Sequence, residues 1–310
     1  MITTATPSMI PALKSLWIEA FGDPEAYVDF FFSHRFENIS TFVYLIEETP
    51  VSMAFVFDEE LYYKGSCVNA GYIYGVATVM KHQGQGYSTA ILGHIQSLYP
   101  TTFLIPANQR LFDFYGRHGY QTAFAIHEET LLVTSDGSLV IENSSVCAPQ
   151  NVALSSKQPH PHSVELTHQL YSFEPVSPIG YKTIRDQVFQ QEGTIRWNET
   201  SIAYAIAENQ FCGGFAVKVS ILEHPAPAPP TKSNREDIVL YRCDENQLYI
   251  KETTLSGQNL YDVALLLMKE HQVSKCHIRL QTDAANTGRG FGMLHSSIQV
   301  KNGYCNLVLD

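Results

Sequence analysis

The residues best suited to chemistry lie between Tyr72 and Leu92. Seven of them, Gln83-Gly-Gln-Gly-Tyr-Ser-Thr89, come after the apolar, partly β-branched run Ile73 to Val79 and precede Ala90, Ile91, Leu92 and Ile95. This order predicts a strand, a tight turn and a helix. Gly84 and Gly86 let the backbone turn sharply and approach a ligand without a Cβ in the way. Free amides at a helix N-terminus, aided by the helix dipole, make a site for an anion such as phosphate. Each favourable charge contact there contributes roughly 0.3–1 kcal/mol, up to about 2 when partly buried.

The spacing excludes two common phosphate loops. A Walker loop needs a Lys after its last glycine, and none follows Gly86. A dinucleotide fingerprint needs a third small residue where Thr89 stands, and an acidic residue near twenty positions on, which is missing. The pattern that fits is Q/R-x-x-G-x-G/A, with Gln83 first, Gly86 fourth and Ser88 last. This resembles the pyrophosphate loop of the GNAT superfamily of acyl-CoA-dependent N-acetyltransferases, with Ser88 in place of the family's Gly or Ala. The stretch Phe103 to Tyr120 resembles the family's next strand, Asn, helix and F-Y-x-x-x-G-F/Y pattern, through Asn108, Phe114, Tyr115, Gly119 and Tyr120.

The resemblance implies acetyl-CoA as co-substrate. The main chain of Val76, Ala77 and Thr78 would pair with the pantetheine arm. Gln83, Gly84, Gln85, Gly86, Tyr87, Ser88 and Thr89 would hold the pyrophosphate, and the Asn108 side chain would contact the cofactor. Tyr115 would protonate the departing thiolate. A phenol near pKa ~10 can give a proton to a thiolate near ~8.5 for about 2 kcal/mol, a gap that burial can shrink. Many members place a Glu on the strand before the loop; Ile73 to Val79 contains none. Glu47, Glu48, Asp58, Glu59, Glu60 and the terminal Asp310 remain candidates for the base, as does a water chain.

These groups need a scaffold. In the first half the pattern predicts a short strand at Met1–Thr4, helices over Pro7–Phe21 and from Pro24 to about Phe36 capped by Asp23, and strands at 41–47 and 51–61. The Ile73 strand, a Ser88–Leu98 helix, a Thr102–Ile105 strand, an Asn108–His118 helix and two closing strands (120–126, 129–134) come next. Trp17, Phe21, Tyr27, Phe30, Phe31 and Phe32 are core candidates, one or two of which could line a substrate groove. The second half repeats the rhythm. It has a helix from Ser177-Pro178, strands at 201–207, 213–222, 238–243 and 247–253, a Leu260–His271 helix, and strands at 275–281 and 304–309. Its strand-to-helix loop, Thr253 to Asn259, has one Gly and no pyrophosphate pattern. The expected fold is mixed α/β, with two GNAT-like domains in tandem, each a mostly antiparallel twisted sheet flanked by helices. Residues 1–140 form the catalytic domain, 141–163 a linker and 164–310 a degenerate copy. The arrangement resembles the Eis-like branch, whose third, sterol-carrier-like domain has no room in 310 residues.

Composition narrows the rest. No run of 18 apolar residues exists, and the N-terminus lacks a signal-peptide pattern, so a cytoplasmic protein with no membrane partner is expected. The six cysteines are scattered without a C-x-x-C pair, so they read as reduced and largely buried, with no metal site. His160 and His162 flank a proline in a solvated linker and lack further ligands nearby. Net charge is −11. Residues 1–150 hold 6 Lys plus Arg against 15 Asp plus Glu, whereas residues 151–310 hold 14 against 16. That balance disfavours nucleic acid and favours a cationic small-molecule amine; the oligomeric state stays open. Two other functions are compatible with the sequence: a catalytically silent acyl-CoA-binding sensor, and a protein Lys or N-terminal acetyltransferase.

Overall fold

Two long apolar strands joined by a hairpin, β3 (Thr49–Tyr63) and β4 (Ser66–Thr78), form the spine of the first half. The computed structural model describes residues 1–134, 139–143, 170–222, 235–282 and 288–307. They divide into two compact units. Unit 1 takes Met1–Phe124, Glu192–Asn198 and Phe291–Gly303; unit 2 takes Ala125–Gln191, Glu199–Gly290 and Tyr304–Asp310. The division therefore does not fall at one linker between 140 and 164.

In unit 1, β1 (Ile2–Thr4), α1 (Ile10–Phe21), α2 (Glu25–Arg35) and β2 (Ser40–Ile46) precede the spine. α3 (Tyr87–Leu98), β5 (Thr102–Leu104) and α4 (Gln109–Gly116) come after it. The sheet order is β1-β2-β3-β4-β5 and then β14 (Arg289–His295), with β9 (Ile195–Arg196) paired to the far end of β3. Only β4 and β5 run parallel, with the single helix α3 as their crossover, whereas β1 and β2, joined through α1 and α2, pair antiparallel. α3 buries Ile91, Leu92 and Ile95 against Val56, Ile73 and Leu104. Each such side chain contributes roughly 1.5–3 kcal/mol. On α1 and α2, Leu13, Leu16, Trp17, Val28, Phe31 and Phe32 are buried, and Trp17 lies 5.6 Å from the Phe55 ring and 5.8 Å from that of Tyr74. Three of the six expected aromatics, Trp17, Phe31 and Phe32, are thus core, while Tyr27 and Phe30 are half-buried. Phe21 is 45% exposed.

Unit 2 repeats this plan. Its elements are β7 (Leu139–Asn143), β8 (Leu170–Pro175), α5 (Pro178–Val188), α6 (Glu199–Phe211), β10 (Phe215–Leu222), β11 (Glu236–Asp244), β12 (Gln247–Thr253), α7 (Gly257–Glu270) and β13 (Lys275–Gln281), together with most of β6 (Gln121–Val133). The order is β7-β6-β13-β12-β11-β10-β8, again antiparallel except for the helix-linked pair β12 and β13. In each unit, the strand beside the parallel pair comes from the other half of the sequence: β14 closes unit 1 and β6 closes unit 2.

Several local expectations change. Residues 201–207 are not a strand but the middle of α6. Their alternation S-I-A-Y-A-I-A imitates a strand, yet Ile202, Tyr204, Ala205 and Ile206 are all buried, and alanine favours a helix. The two closing strands are the single β6. Of the expected strand at 304–309, the described residues Tyr304 to Leu307 form none and are buried as irregular chain; 308 and 309 lie outside the described residues. Asp23 does not cap α2, because its carboxylate accepts the indole N–H of Trp17 at 2.7 Å and Pro24 takes the cap position. The described cysteines form no disulfide with one another; Cys276 and Cys305 are buried, but Cys67 and Cys212 are exposed. His160, His162, Cys147 and Asp310 lie outside the described residues.

Candidate active site

β4 pairs with β5 only through Gly71–Thr102 and Tyr72–Phe103. From Ile73 to Thr78 its other edge stays on β3, while the β5 edge meets no strand among the described residues. Gly75 makes the break. It has φ +60, the register slips beside it, and a Cβ there would sit 2.8 Å from the Phe55 ring. This is a β-bulge, which bends the strand and re-aims its C-terminal residues. The open edge carries Val76, Ala77 and Thr78, so an extended ligand can add as a further strand. Thr78 is itself fixed: its hydroxyl meets Ser52 Oγ at 2.9 Å, and its carbonyl accepts from Gln83 Nε2 at 3.2 Å.

The edge leads into the glycine loop. Gly84 and Gly86 both adopt positive φ (75 and 84), and Gly86 is the N-cap of α3. A side-chain cap is missing, and the first helical bond is Ala90 N–H to the Gly86 carbonyl at 2.9 Å. The amides of Gly84 to Thr89 therefore donate to no group among the described residues. No atom lies within 4 Å of where a Cβ on either glycine would stand. Six unspent donors around open space at a positive helix end suit a pyrophosphate. The loop is braced by the Tyr87 hydroxyl donating to Gln85 Oε1 (2.9 Å) and by Tyr87 packing on Tyr44 with ring centroids 4.4 Å apart.

α4 supplies the remaining groups. Asn108 is its N-cap, with Oδ1 accepting from the Leu111 amide at 3.1 Å, so the side chain's first task is to start the helix. Tyr115 lies in the last turn, 8% exposed, in the same core cluster as Ile91, Leu92, Tyr120 and Val76. Its hydroxyl has no partner among the described residues, and it is not one of the atoms sealed from solvent. Burial pushes the phenol's pKa well up, with the nearby Tyr120 adding to the effect. The proton is thus held firmly, and on the phenol's side burial widens the gap to a thiolate rather than shrinking it. A thiolate formed in the same dry surroundings is raised as well. Gly119, at φ +84, ends the helix and lets the Tyr120 amide return to the Tyr115 carbonyl at 3.2 Å. Tyr120 then buries its hydroxyl on Thr102 Oγ1 at 2.8 Å.

Residues 1–123 match the family model of the acetyltransferase (GNAT) domain. They are an acyltransferase domain of the GNAT type. No curated protein matches the chain. Among solved structures, the chain is similar to a probable N-acyltransferase of unknown function from Enterococcus faecalis (14% identity, 95% of this chain and 72% of that one, TM-score 0.64). It is also similar to Eis1 from Mycobacterium abscessus (12% identity, 96% of this chain and 73% of that one, TM-score 0.59). A tandem GNAT protein from the clavulanic acid biosynthesis pathway matches along 100% of this chain and 99% of its own, at 10% identity and TM-score 0.51. These identities speak for the fold, and that fold is the tandem one.

Two features of the candidate site escaped the sequence. The Gly75 bulge had a signal, an isolated glycine inside an apolar strand. The contact of Thr89 Oγ1 with His118 Nε2 at 3.0 Å had none, because the two residues are 29 positions apart. His118 Nδ1 is in turn held by the Phe114 carbonyl at 2.8 Å, which ties the start of α3 to the end of α4. Glu59, a candidate base, is buried and committed: its Oε2 accepts the Asn198 amide at 2.7 Å within unit 1.

The matching place in unit 2 is built differently. Only Thr254, Leu255 and Ser256 join β12 to α7. Thr254 Oγ1 accepts the Ile238 amide at 2.9 Å, Thr253 Oγ1 accepts that of Leu255 at 3.1 Å, and Leu255 is buried. The connection is tied down to β11 and forms no glycine cradle.

Proposed function

We propose that this protein is an N-acetyltransferase that moves an acetyl group from acetyl-CoA to a primary amine by direct attack on the thioester. The observation that carries the reading is the open edge of β4 running into a loop with six unspent amides, beside a buried tyrosine with an unpaired hydroxyl. Acetyl-CoA would supply an activated acetyl thioester. Val76, Ala77 and Thr78 would align its arm along β4, and the Thr78 amide would polarise the carbonyl. Gly84 to Thr89 would hold the pyrophosphate, with Asn108 near the arm. Tyr115 would hand its proton to the sulfur as the C–S bond breaks, while the attacking amine loses a proton to water.

Deprotonating the amine is the step with least help. At pKa ~10.4 it is neutral about once in 2,500 at pH 7, a cost of roughly 4–5 kcal/mol. Ile73 to Thr78 carries no carboxylate, and this favours as second reading a silent acyl-CoA sensor. Free-thiol release from acetyl-CoA, monitored over a panel of amines and Lys peptides, separates the readings. Turnover with a small amine supports the first, turnover with peptides alone makes it a protein acetyltransferase, and tight acetyl-CoA binding without turnover on any acceptor leaves the sensor.

A further inference from the structure

A cavity of about 490 Å³ lies wholly within unit 2 and takes no part in the chemistry above. Leu248, Ile250, Cys276 and Ile278 belong to the core beneath α7, so by strand alternation Tyr249, Lys251, His277 and Arg279 point to the opposite face. There they line the cavity with Arg242 and Glu128. We propose that this cavity binds a small organic anion, its carboxylate or phosphate group held by Arg242 and its flat portion laid along Tyr249 and His277.

The charges carry the argument. Arg242 is half-buried, and its Nε is shut away from solvent and makes no hydrogen bond among the described residues. The guanidinium lies over the Tyr249 ring, 5.8 Å from its centroid. The acidic neighbours are already engaged by groups other than Arg242. Both oxygens of Glu128 accept from Arg289, at 2.7 and 3.0 Å. Glu129 accepts from the Tyr261 hydroxyl at 3.1 Å and meets His127 Nε2 at 3.2 Å. Lys251, only 9% exposed, adds positive charge to the same walls, while the charge of Arg279 is offset by Glu128, whose Oε1 lies 3.8 Å from Arg279 Nε. A charged donor kept from water without an acceptor is costly, and an anion supplied from outside relieves that cost. A guanidinium fits carboxylate or phosphate through paired bonds.

The wall is equally fixed. His277 Nε2 meets Gln247 Oε1 at 2.9 Å and Nδ1 meets Thr130 Oγ1 at 3.1 Å, so the ring cannot turn. Tyr249 stacks on it with centroids 5.0 Å apart and planes at 19°. Burial, with Lys275 nearby, lowers the His277 pKa, so at neutral pH the ring is an uncharged flat surface. The volume falls in the range of about 300–1,000 Å³ usual for small-molecule sites.

Isothermal titration of the full chain with benzoate, phenyl phosphate, acetate and benzylamine tests the proposal. Benzoate and phenyl phosphate should bind, benzoate about tenfold tighter than acetate because only it can stack, and benzylamine should not bind. The tighter of the two aromatic anions tells whether carboxylate or phosphate is preferred. Binding should persist in Gly86→Asp, which removes the unit 1 loop as a competing anion site. Arg242→Gln should weaken both aromatic anions by about tenfold or more. Tyr249→Leu should weaken benzoate while sparing inorganic phosphate, and it decides the matter if Arg242→Gln does not fold. No saturation by either aromatic anion at millimolar concentration, or unchanged binding in folded variants, overturns the proposal.

Discussion

The carboxylate of Glu59 accepts the main-chain amide of Asn198 at 2.7 Å, across 139 residues of sequence. Asn198 Nδ2 donates to the Asp58 carbonyl at 2.7 Å, and Trp197 packs against Tyr72 and Phe103 with centroids 5.3 and 5.8 Å away. The short segment from Glu192 to Asn198 is therefore an integral part of the sheet that carries the candidate site.

Glu59→Ala should leave the Asn198 amide without its buried acceptor and cost about 1–3 kcal/mol of stability. Urea unfolding measures the loss. The pH profile of kcat for the folded fraction should stay as in the wild type, since a carboxylate spent on Asn198 does not serve as base. A lost acidic limb would return Glu59 to the reaction.

Gly86→Asp should abolish acetyl-CoA binding. The new carboxylate would face the pyrophosphate, and a side chain at φ +84 is strained besides. Wild-type titration should give one site per chain, because the three-residue connection before α7 offers no cradle. Two sites, or normal binding by the variant, would contradict the assignment of the loop.

Tyr115→Phe should lower kcat by about 10²–10⁴-fold with little change in acetyl-CoA affinity, as expected for proton donation to a leaving group. The sign of the pKa shift adds a second readout. The neutral phenol is the working form, and burial raises its pKa above 10. Turnover should therefore show no alkaline decline from Tyr115 on passing pH 10. By linkage, the stability contributed by this neutral phenol is complete below about pH 10, the unfolded value, and is lost as pH rises toward the folded one. Stability curves between pH 8 and 11 should accordingly differ between Tyr115→Phe and the wild type only near and above pH 10, where the unfolded phenol ionises.

A cationic acceptor should be preferred. Residues 1–150 carry net −9 against −2 in the remainder. If that field steers the substrate, kcat/KM should fall as salt rises from about 0.01 to 0.15 M, over which the Debye length shrinks from ~30 to ~8 Å. It should rise with the number of positive charges on the amine. Indifference to salt would reduce the acidic surface to an aid to solubility.

The sequence disclosed what is local. The glycine loop, the helix it caps and the Asn108 to Tyr120 segment are contiguous, and each is specified by neighbours a few positions apart. Helix boundaries at α1, α3 and α4 fall within three residues of expectation. The features that stayed hidden depend on distant partners. Arg289-Gly-Phe-Gly-Met293 reads as a turn, yet it forms β14 because the exposed edge of β5 accepts it through Met293–Leu104 and Leu294–Phe103. The segment 201–207 alternates like a strand, and only burial on all sides of α6 explains its apolar content. The Arg242 cavity draws on β6, β11, β12 and β13, so no window of sequence contains it.

The exchanged closing strands set an order of events during synthesis. A ribosome that has released residue 124 has delivered the loop, Asn108 and Tyr115, but β5 still waits for an edge partner that lies beyond residue 288. The nascent first half must hold that edge open until β14 at Arg289–His295 emerges, a state prone to aberrant strand pairing. Activity should thus arise all at once, only after residues 291–303 have emerged, and a genetic cut between the halves cannot yield two self-sufficient proteins.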